Sequence, residues 1–77
     1  MIKKVTKRAF AIQQIVWSNI RRYQYLLKMT DEELGESLGV TSRTLYTYDK
    51  DPSNLTLDKV EHFLKMTGVG MESLIIS

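Results

Sequence analysis

Residues 30–48, TDEELGESLGVTSRTLYTY, carry the strongest local instructions in the chain. Thr30 followed by Glu33 spells a capping box, in which the threonine oxygen takes an orphan backbone N–H and the glutamate caps in return, so a helix begins there. Leu34 and Leu38 lie one turn apart on one face of that helix. Gly39 then arrives where the chain needs a left-handed residue to stop and turn sharply. Val40 plugs the corner and Thr41 is a second N-cap. The helix that Thr41 opens offers only Leu45 and Tyr48 as inward residues, which leaves Ser42, Arg43, Thr44, Tyr46 and Thr47 to meet something outside. The spacing predicts a helix, a tight turn and a second helix.

A chain of 77 residues is one domain with a modest core, and packing alone leaves it marginal unless a second copy contributes. A homodimer is therefore expected. There is no cysteine, hence no disulfide and no thiolate metal site, and the single His62 cannot hold a zinc ion by itself, so no cofactor is expected. The lack of cysteine fits a reducing, cytoplasmic compartment. The opening MIKKVTKRAFAIQQIVW has the positive start of a signal peptide, but two glutamines interrupt its apolar part and no small-residue cleavage site follows. It reads as part of the mature protein. Asn54 to Thr56 matches a glycosylation acceptor short enough to arise by chance, and no apolar run approaches membrane-spanning length. No Gly-rich phosphate loop and no carboxylate pair outside caps and turns is present, so neither an enzyme nor a small-molecule substrate is expected. Glu32, Glu33 and Glu36 read as a solvated face, and His62 as a surface residue.

Charge is distributed unevenly along the chain. Residues 1–28 hold seven basic residues and no acid, a charge of +7, whereas residues 29–77 hold four basic residues against nine acidic ones, a charge of −5. The first part attracts a polyanion and much of the second repels it. Lys3, Lys4, Lys7 and Arg8 suit an arm that follows a charged partner, or a loose terminus.

From Lys7 to Lys28 the residues Ile12, Ile15, Val16, Ile20, Tyr23 and Leu27 recur at three and four, which predicts an amphipathic segment, either one long helix or two joined near Ser18. Asp51 to Asn54 form a turn, and Thr56 caps a helix whose Leu57, Val60, Phe63 and Leu64 face inward until Gly68 ends it. Met71, Leu74 and Ile75 suggest a last short helix. Residues 1–19 read as a basic, helical N-terminal extension and residues 20–77 as the folded domain. Phe10, Ile12, Ile15, Val16 and Trp17 are too apolar for a free arm, so the extension is expected to pack on its own domain or on a second copy, with Trp17 as anchor. Met71, Leu74, Ile75 and Ile76 form the competing dimer surface.

From Ile20 to Leu74, about 55 of the 77 residues, the chain resembles the phage repressor and Cro type of helix-turn-helix domain, the Xre or Cro/cI family. The matching positions are Ile20 and Tyr23, then Thr30, Glu33, Leu34, Leu38, Gly39, Val40 and Leu45, and finally Leu57, Gly68, Val69 and Leu74. The resemblance implies an all-α fold: a compact five-helix, phage-repressor-like DNA-binding domain, here with an extended N-terminal helical segment. It also implies that the third helix lies in the major groove of double-stranded DNA, usually as a dimer on a two-fold related operator.

Departures from the family pattern bear on the same face. The family usually has a phosphate-bracing glutamine where Asp31 stands, and a carboxylate there repels a phosphate. Asp49 and Asp51 replace a glutamate and a glycine, so Lys50 sits between two acids. Gln24 stands where the family has the arginine that pairs with that glutamate, which suggests a hydrogen bond from Gln24 to Asp49. Gly35 stands where alanine is usual and loses roughly 1 kcal/mol of helix propensity.

On the outer face of the third helix, Arg43 has the planar donor fork that reads guanine, while Ser42, Tyr46 and Thr47 complete the expected base contacts. Thr41, Thr44 and Lys50, with Arg21 and Arg22 of the first helix, are the expected phosphate contacts. The expected function is a sequence-specific DNA-binding transcriptional regulator of phage or mobile-element type. The alternative keeps the fold as a protein-interaction module, antirepressor- or antitoxin-like, with weak or no DNA binding.

Overall fold

A computed structural model describes the backbone of residues 7–75 and the side chains of residues 12–75. Among these residues the chain forms five α-helices and no strand: α1 (Lys7–Leu26), α2 (Asp31–Leu38), α3 (Ser42–Lys50), α4 (Leu57–Thr67) and α5 (Met71–Ile75). A single 3-10 turn at Pro52–Asn54 links α3 to α4. The all-α, five-helix expectation agrees with this architecture.

Every helix places at least one apolar side chain in the shared core. Ile20 of α1, Leu34 and Leu38 of α2, Leu45 of α3, Phe63 of α4 and Leu74 of α5 are fully buried, each stabilising the fold by about 1.5–3 kcal/mol. α1 lies along α5 and the 3-10 turn, while α2 packs on α3 and α4. Two side chains fix α1 in this position. Gln13 donates its Nε2 to the Ser53 and Leu55 carbonyls at 2.9 and 3.2 Å, and buried Asn19 donates Nδ2 to the Leu74 carbonyl at 2.8 Å.

α1 runs unbroken through Ser18, whose hydroxyl bonds back to the Ile15 carbonyl at 2.9 Å. The boundary placed after residue 19 therefore falls inside one helix, and Val16 and Trp17 on its N-terminal side are buried in the same core as Ile20. Lys3, Lys4 and Ile76 lie outside the described residues, as do the side chains of Lys7, Arg8 and Phe10.

Three residues expected to face inward do not. Ile12, Leu27 and Leu57 are about half exposed or more: Leu27 follows the last residue of α1, and α4 turns Val60 and Phe63, not Leu57, toward the core. Thr41 and Thr56 occupy N-cap positions with extended backbone, but neither side chain makes the capping bond. Only Thr30 forms the expected box, accepting from the Glu33 N–H at 3.1 Å and donating its own N–H to Glu33 Oε1 at 2.8 Å.

Gly39 ends α2 at φ 78°, where its N–H bonds the Glu36 carbonyl and the Val40 N–H bonds the Gly35 carbonyl. α1 ends in the same left-handed way at Lys28, φ 58°, a conformation that glycine takes far more readily.

Candidate nucleic-acid interface

α3 buries Leu45 and Tyr48 and turns the opposite side outward. Arg43, Tyr46, Thr47 and Lys50 are all exposed, and their spacing of three, four and seven puts them in one stripe along the helix. Ser42 and Thr44, expected to reach a partner, are half-buried. The hydroxyls of Thr41 and Thr44 lie 3.2 Å apart and satisfy each other at the start of the helix. Thr47 and Lys50 sit nearer its end.

A polar network joins α1, α2 and the flank of α3. Trp17, Arg21 and Gln24 share one face of α1, and all three turn toward two carboxylates. Arg21 reaches Asp49 with two prongs, Nε to Oδ1 at 3.1 Å and Nη2 to Oδ2 at 2.8 Å. Its Nη1 donates to Asp31 Oδ1 at 3.0 Å and to Gln24 Oε1 at 2.6 Å. Gln24 turns its Nε2 to Asp31 Oδ1 at 2.9 Å and to the Met29 carbonyl at 3.2 Å. Trp17 donates its indole N–H to Asp49 Oδ1 at 2.8 Å. From α3, the Tyr46 hydroxyl donates to Asp31 Oδ2 at 2.9 Å.

Two aromatic contacts anchor this network in the core. The Arg21 guanidinium lies 5.4 Å from the Trp17 ring centre, and Trp17 meets Tyr48 edge to face with centroids 5.1 Å apart. Burial in turn pushes the Tyr48 phenol up.

Ionisation follows from the donors. Hydrogen bonds from Gln24, Tyr46 and Arg21, in that order of effect, hold the Asp31 carboxyl below the usual carboxylate range. Asp49 is lowered by Arg21 first and by Trp17 as well. Arg21 is raised, chiefly by its bond to Asp49, and Tyr46 is raised by Asp31. Both carboxylates are therefore charged at neutral pH, and one arginine faces the two of them.

This geometry corrects one expectation. Gln24 does not bond Asp49; Arg21 takes that partner, and Gln24 braces Asp31 instead. Arg21, expected at a phosphate, has its guanidinium on four intramolecular acceptor atoms. Arg22 is exposed with its guanidinium 5.3 Å from the Tyr23 ring centre. Sequence reading had not joined Trp17, Arg21 and Gln24, though their spacing of four and three was the available signal.

Other acidic residues have local reasons. Asp31, Glu32 and Glu33 fill the first turn of α2, where carboxylates oppose the positive end of the helix dipole. Asp51 caps the 3-10 turn by accepting from the Ser53 N–H at 3.1 Å. His62 is exposed as expected, yet its Nδ1 lies 2.8 Å from the Ser37 carbonyl, where it must act as donor, tying α4 to α2.

The two apolar surfaces expected to compete for a second copy meet in one cleft of about 340 Å³. Ile12 and Val16 of α1 line it together with Leu57 and Val60 of α4 and Met71 and Ile75 of α5. Leu74, expected on that surface, is fully buried instead.

Among the described residues no three His, Asp or Glu side chains gather as a metal-ligand set, and no helix is long and apolar enough to cross a membrane. Scans against models of known protein families, curated proteins and solved structures find no match to this chain.

Proposed function

We propose that this chain is a sequence-specific DNA-binding regulator that presents α3 to the major groove and acts by occupying its site, without catalysis. One observation carries the reading. The exposed stripe Arg43, Tyr46, Thr47 and Lys50 lies on a short helix held at a fixed angle by the Gly39 turn, with a guanidinium fork at its N-terminal end and an ammonium at the other. Such a stripe offers forked donors to base edges and a charge to the backbone. The half-buried Ser42 and Thr44 and the paired Thr41 contribute through the shape and position of the helix start. Arg22 adds a further cation. A homodimer belongs to this reading, with the apolar cleft between α1, α4 and α5 as its contact surface, since no residue of α3 lines it.

The first turn of α2, with its three carboxylates, favours a second reading in which the same fold binds a protein and holds duplex DNA weakly or not at all. Salt separates the two. Anisotropy of labelled random duplex, titrated with protein at rising salt, is expected to show affinity falling log-linearly with salt as counterions are released. Selection from a random duplex library is then expected to enrich one sequence. Failure to bind any duplex at low salt overturns the proposal in favour of the protein-binding reading.

A further inference from the structure

The hydroxyl of Tyr46 is where the outward stripe of α3 and the internal polar network meet. Tyr46 is 56% exposed, so its ring faces outward with Arg43, Thr47 and Lys50, yet its hydroxyl proton points back to Asp31 Oδ2 at 2.9 Å. Asp31 cannot easily move away. Its other oxygen is held by Arg21 at 3.0 Å and Gln24 at 2.9 Å, both on α1. A phenol has one proton to donate. With that proton on a fixed carboxylate, Tyr46 offers an outside partner a ring edge and an oxygen that can only accept. A negatively charged phosphate oxygen is repelled by the adjacent carboxylate, and acceptor edges such as purine N7 find no donor there.

We infer that Asp31 is a specificity-determining positioning residue: by holding the Tyr46 hydroxyl proton, it bars Tyr46 from donating to base acceptors, which leaves that readout to Arg43 and Thr47 and leaves Tyr46 its ring edge and an accepting oxygen. This deepens the DNA-binding reading and rests on it. A ring edge packs on apolar groups in the major groove, of which the thymine methyl is the one a base presents. Freed from Asp31, the same hydroxyl would donate to base acceptors and change the preferred base at the positions it faces.

The experiment is a base-preference profile, measured by competition among single-base variants of the selected duplex, for the wild-type chain, Tyr46→Phe, Asp31→Asn, Asp31→Ala and the double variant Asp31→Ala/Tyr46→Phe. Thermal melts establish that each is folded. Tyr46→Phe removes the hydroxyl and sets the profile that position 46 gives through its ring alone. Asp31→Asn keeps its one amide oxygen on the Arg21 and Gln24 donors, so its NH2 faces Tyr46, the phenol oxygen accepts, and the freed proton shifts the preference as in Asp31→Ala. Asp31→Ala shifts the preference about two- to tenfold at one or two base-pair positions, the worth of one hydrogen bond. In the double variant the profile returns to that of Tyr46→Phe. This return separates a change made through Tyr46 from one made by the released Arg21 or by the lost negative charge, which raises affinity for all sequences alike.

An unaltered profile in Asp31→Ala, or a double variant that keeps the Asp31→Ala profile, overturns the inference while leaving the DNA-binding reading intact. A wild-type chain with no preference among duplexes overturns that reading, and this inference with it.

Discussion

Arg21 and Asp49 meet through two parallel hydrogen bonds, 3.1 Å from Nε to Oδ1 and 2.8 Å from Nη2 to Oδ2, across 28 residues of sequence. This two-pronged pair fixes the last turn of α3 to the C-terminal half of α1, and the remaining Nη1 reaches the start of α2 at Asp31. One guanidinium thus sets the mutual position of three helices, two of which form the proposed DNA-binding unit. Its planar fork makes the geometry specific in a way an ammonium cannot reproduce. The pair is partly exposed, with side-chain accessibilities of 25% for Arg21 and 40% for Asp49, so its worth lies between that of a surface pair and a buried one.

Replacing Arg21 by Met is therefore expected to destabilise the fold by roughly 1–2 kcal/mol, since two carboxylates then face each other with no cation between them. The variant also changes the response to acid. Asp31 and Asp49 both have folded-state pKa values below their unfolded ones. The folded state accordingly binds fewer protons in that range. Their contribution is fully present above the unfolded value of about 3.9 and is lost as pH falls through the lower folded values. Urea midpoints measured from about pH 5 downward should fall in the wild-type chain and fall less in Arg21→Met. Parallel curves for the two proteins would show that Arg21 does not set these carboxylates.

Gly35 is buried in α2, and a Cβ built there comes 2.7 Å from the Val40 carbonyl oxygen and 3.3 Å from the Thr41 carbonyl carbon. Both neighbours are backbone, so they cannot swing aside. Helix propensity favours Gly35→Ala by about 1 kcal/mol, but overpacking of this kind costs about 1–3 kcal/mol. The clash wins, and the variant is expected to unfold at lower temperature or lower urea. An increase in the thermal midpoint would mean that the turn between α2 and α3 yields.

The sequence made the unit around Thr30, Leu34, Leu38 and Gly39 legible because each of those positions acts through neighbours three to five residues away, where residue type and spacing decide the outcome. Leu45, Tyr48, Val60 and Phe63 were legible for the same reason of period. The partners of Arg21 were not, because the choice between Arg21 and Gln24 for Asp49 depends on how α1 is rotated against the end of α3, a long-range outcome. Leu57 misled because it sits in the first turn of α4, where one apolar residue does not define a face. The close approach behind Gly35 was invisible, since a glycine gives no sign of which backbone will come near it.

Lys28 holds φ at 58° to end α1, with its N–H on the Tyr25 carbonyl at 3.2 Å and the Met29 N–H on the Gln24 carbonyl at 3.0 Å. A side chain in this region costs about 1–2 kcal/mol, while glycine in its place loses more entropy on folding. The balance favours Lys28→Gly by about 0.5–1 kcal/mol, read as a higher thermal midpoint with an unchanged denaturant slope. A lower midpoint would mean that Lys28 contributes a contact worth more than the relieved strain.

The proposed function turns most directly on Arg43, the only arginine in the exposed stripe of α3. A guanidinium presents two parallel N–H donors that fit guanine O6 and N7 together, a contact worth about 1–3 kcal/mol of discrimination against other bases. A lysine at the same place keeps the charge and loses the fork. Competition between the selected duplex and a scrambled one separates these properties. Arg43→Ala is expected to lose most of the preference for the selected sequence while retaining weak binding to both. Arg43→Lys should restore affinity for both duplexes with little recovery of the preference, because phosphate attraction positions the protein and base contacts specify the site. If Arg43→Ala weakens both duplexes by the same factor, Arg43 serves the backbone, and sequence recognition must come from Thr47 and the ring of Tyr46.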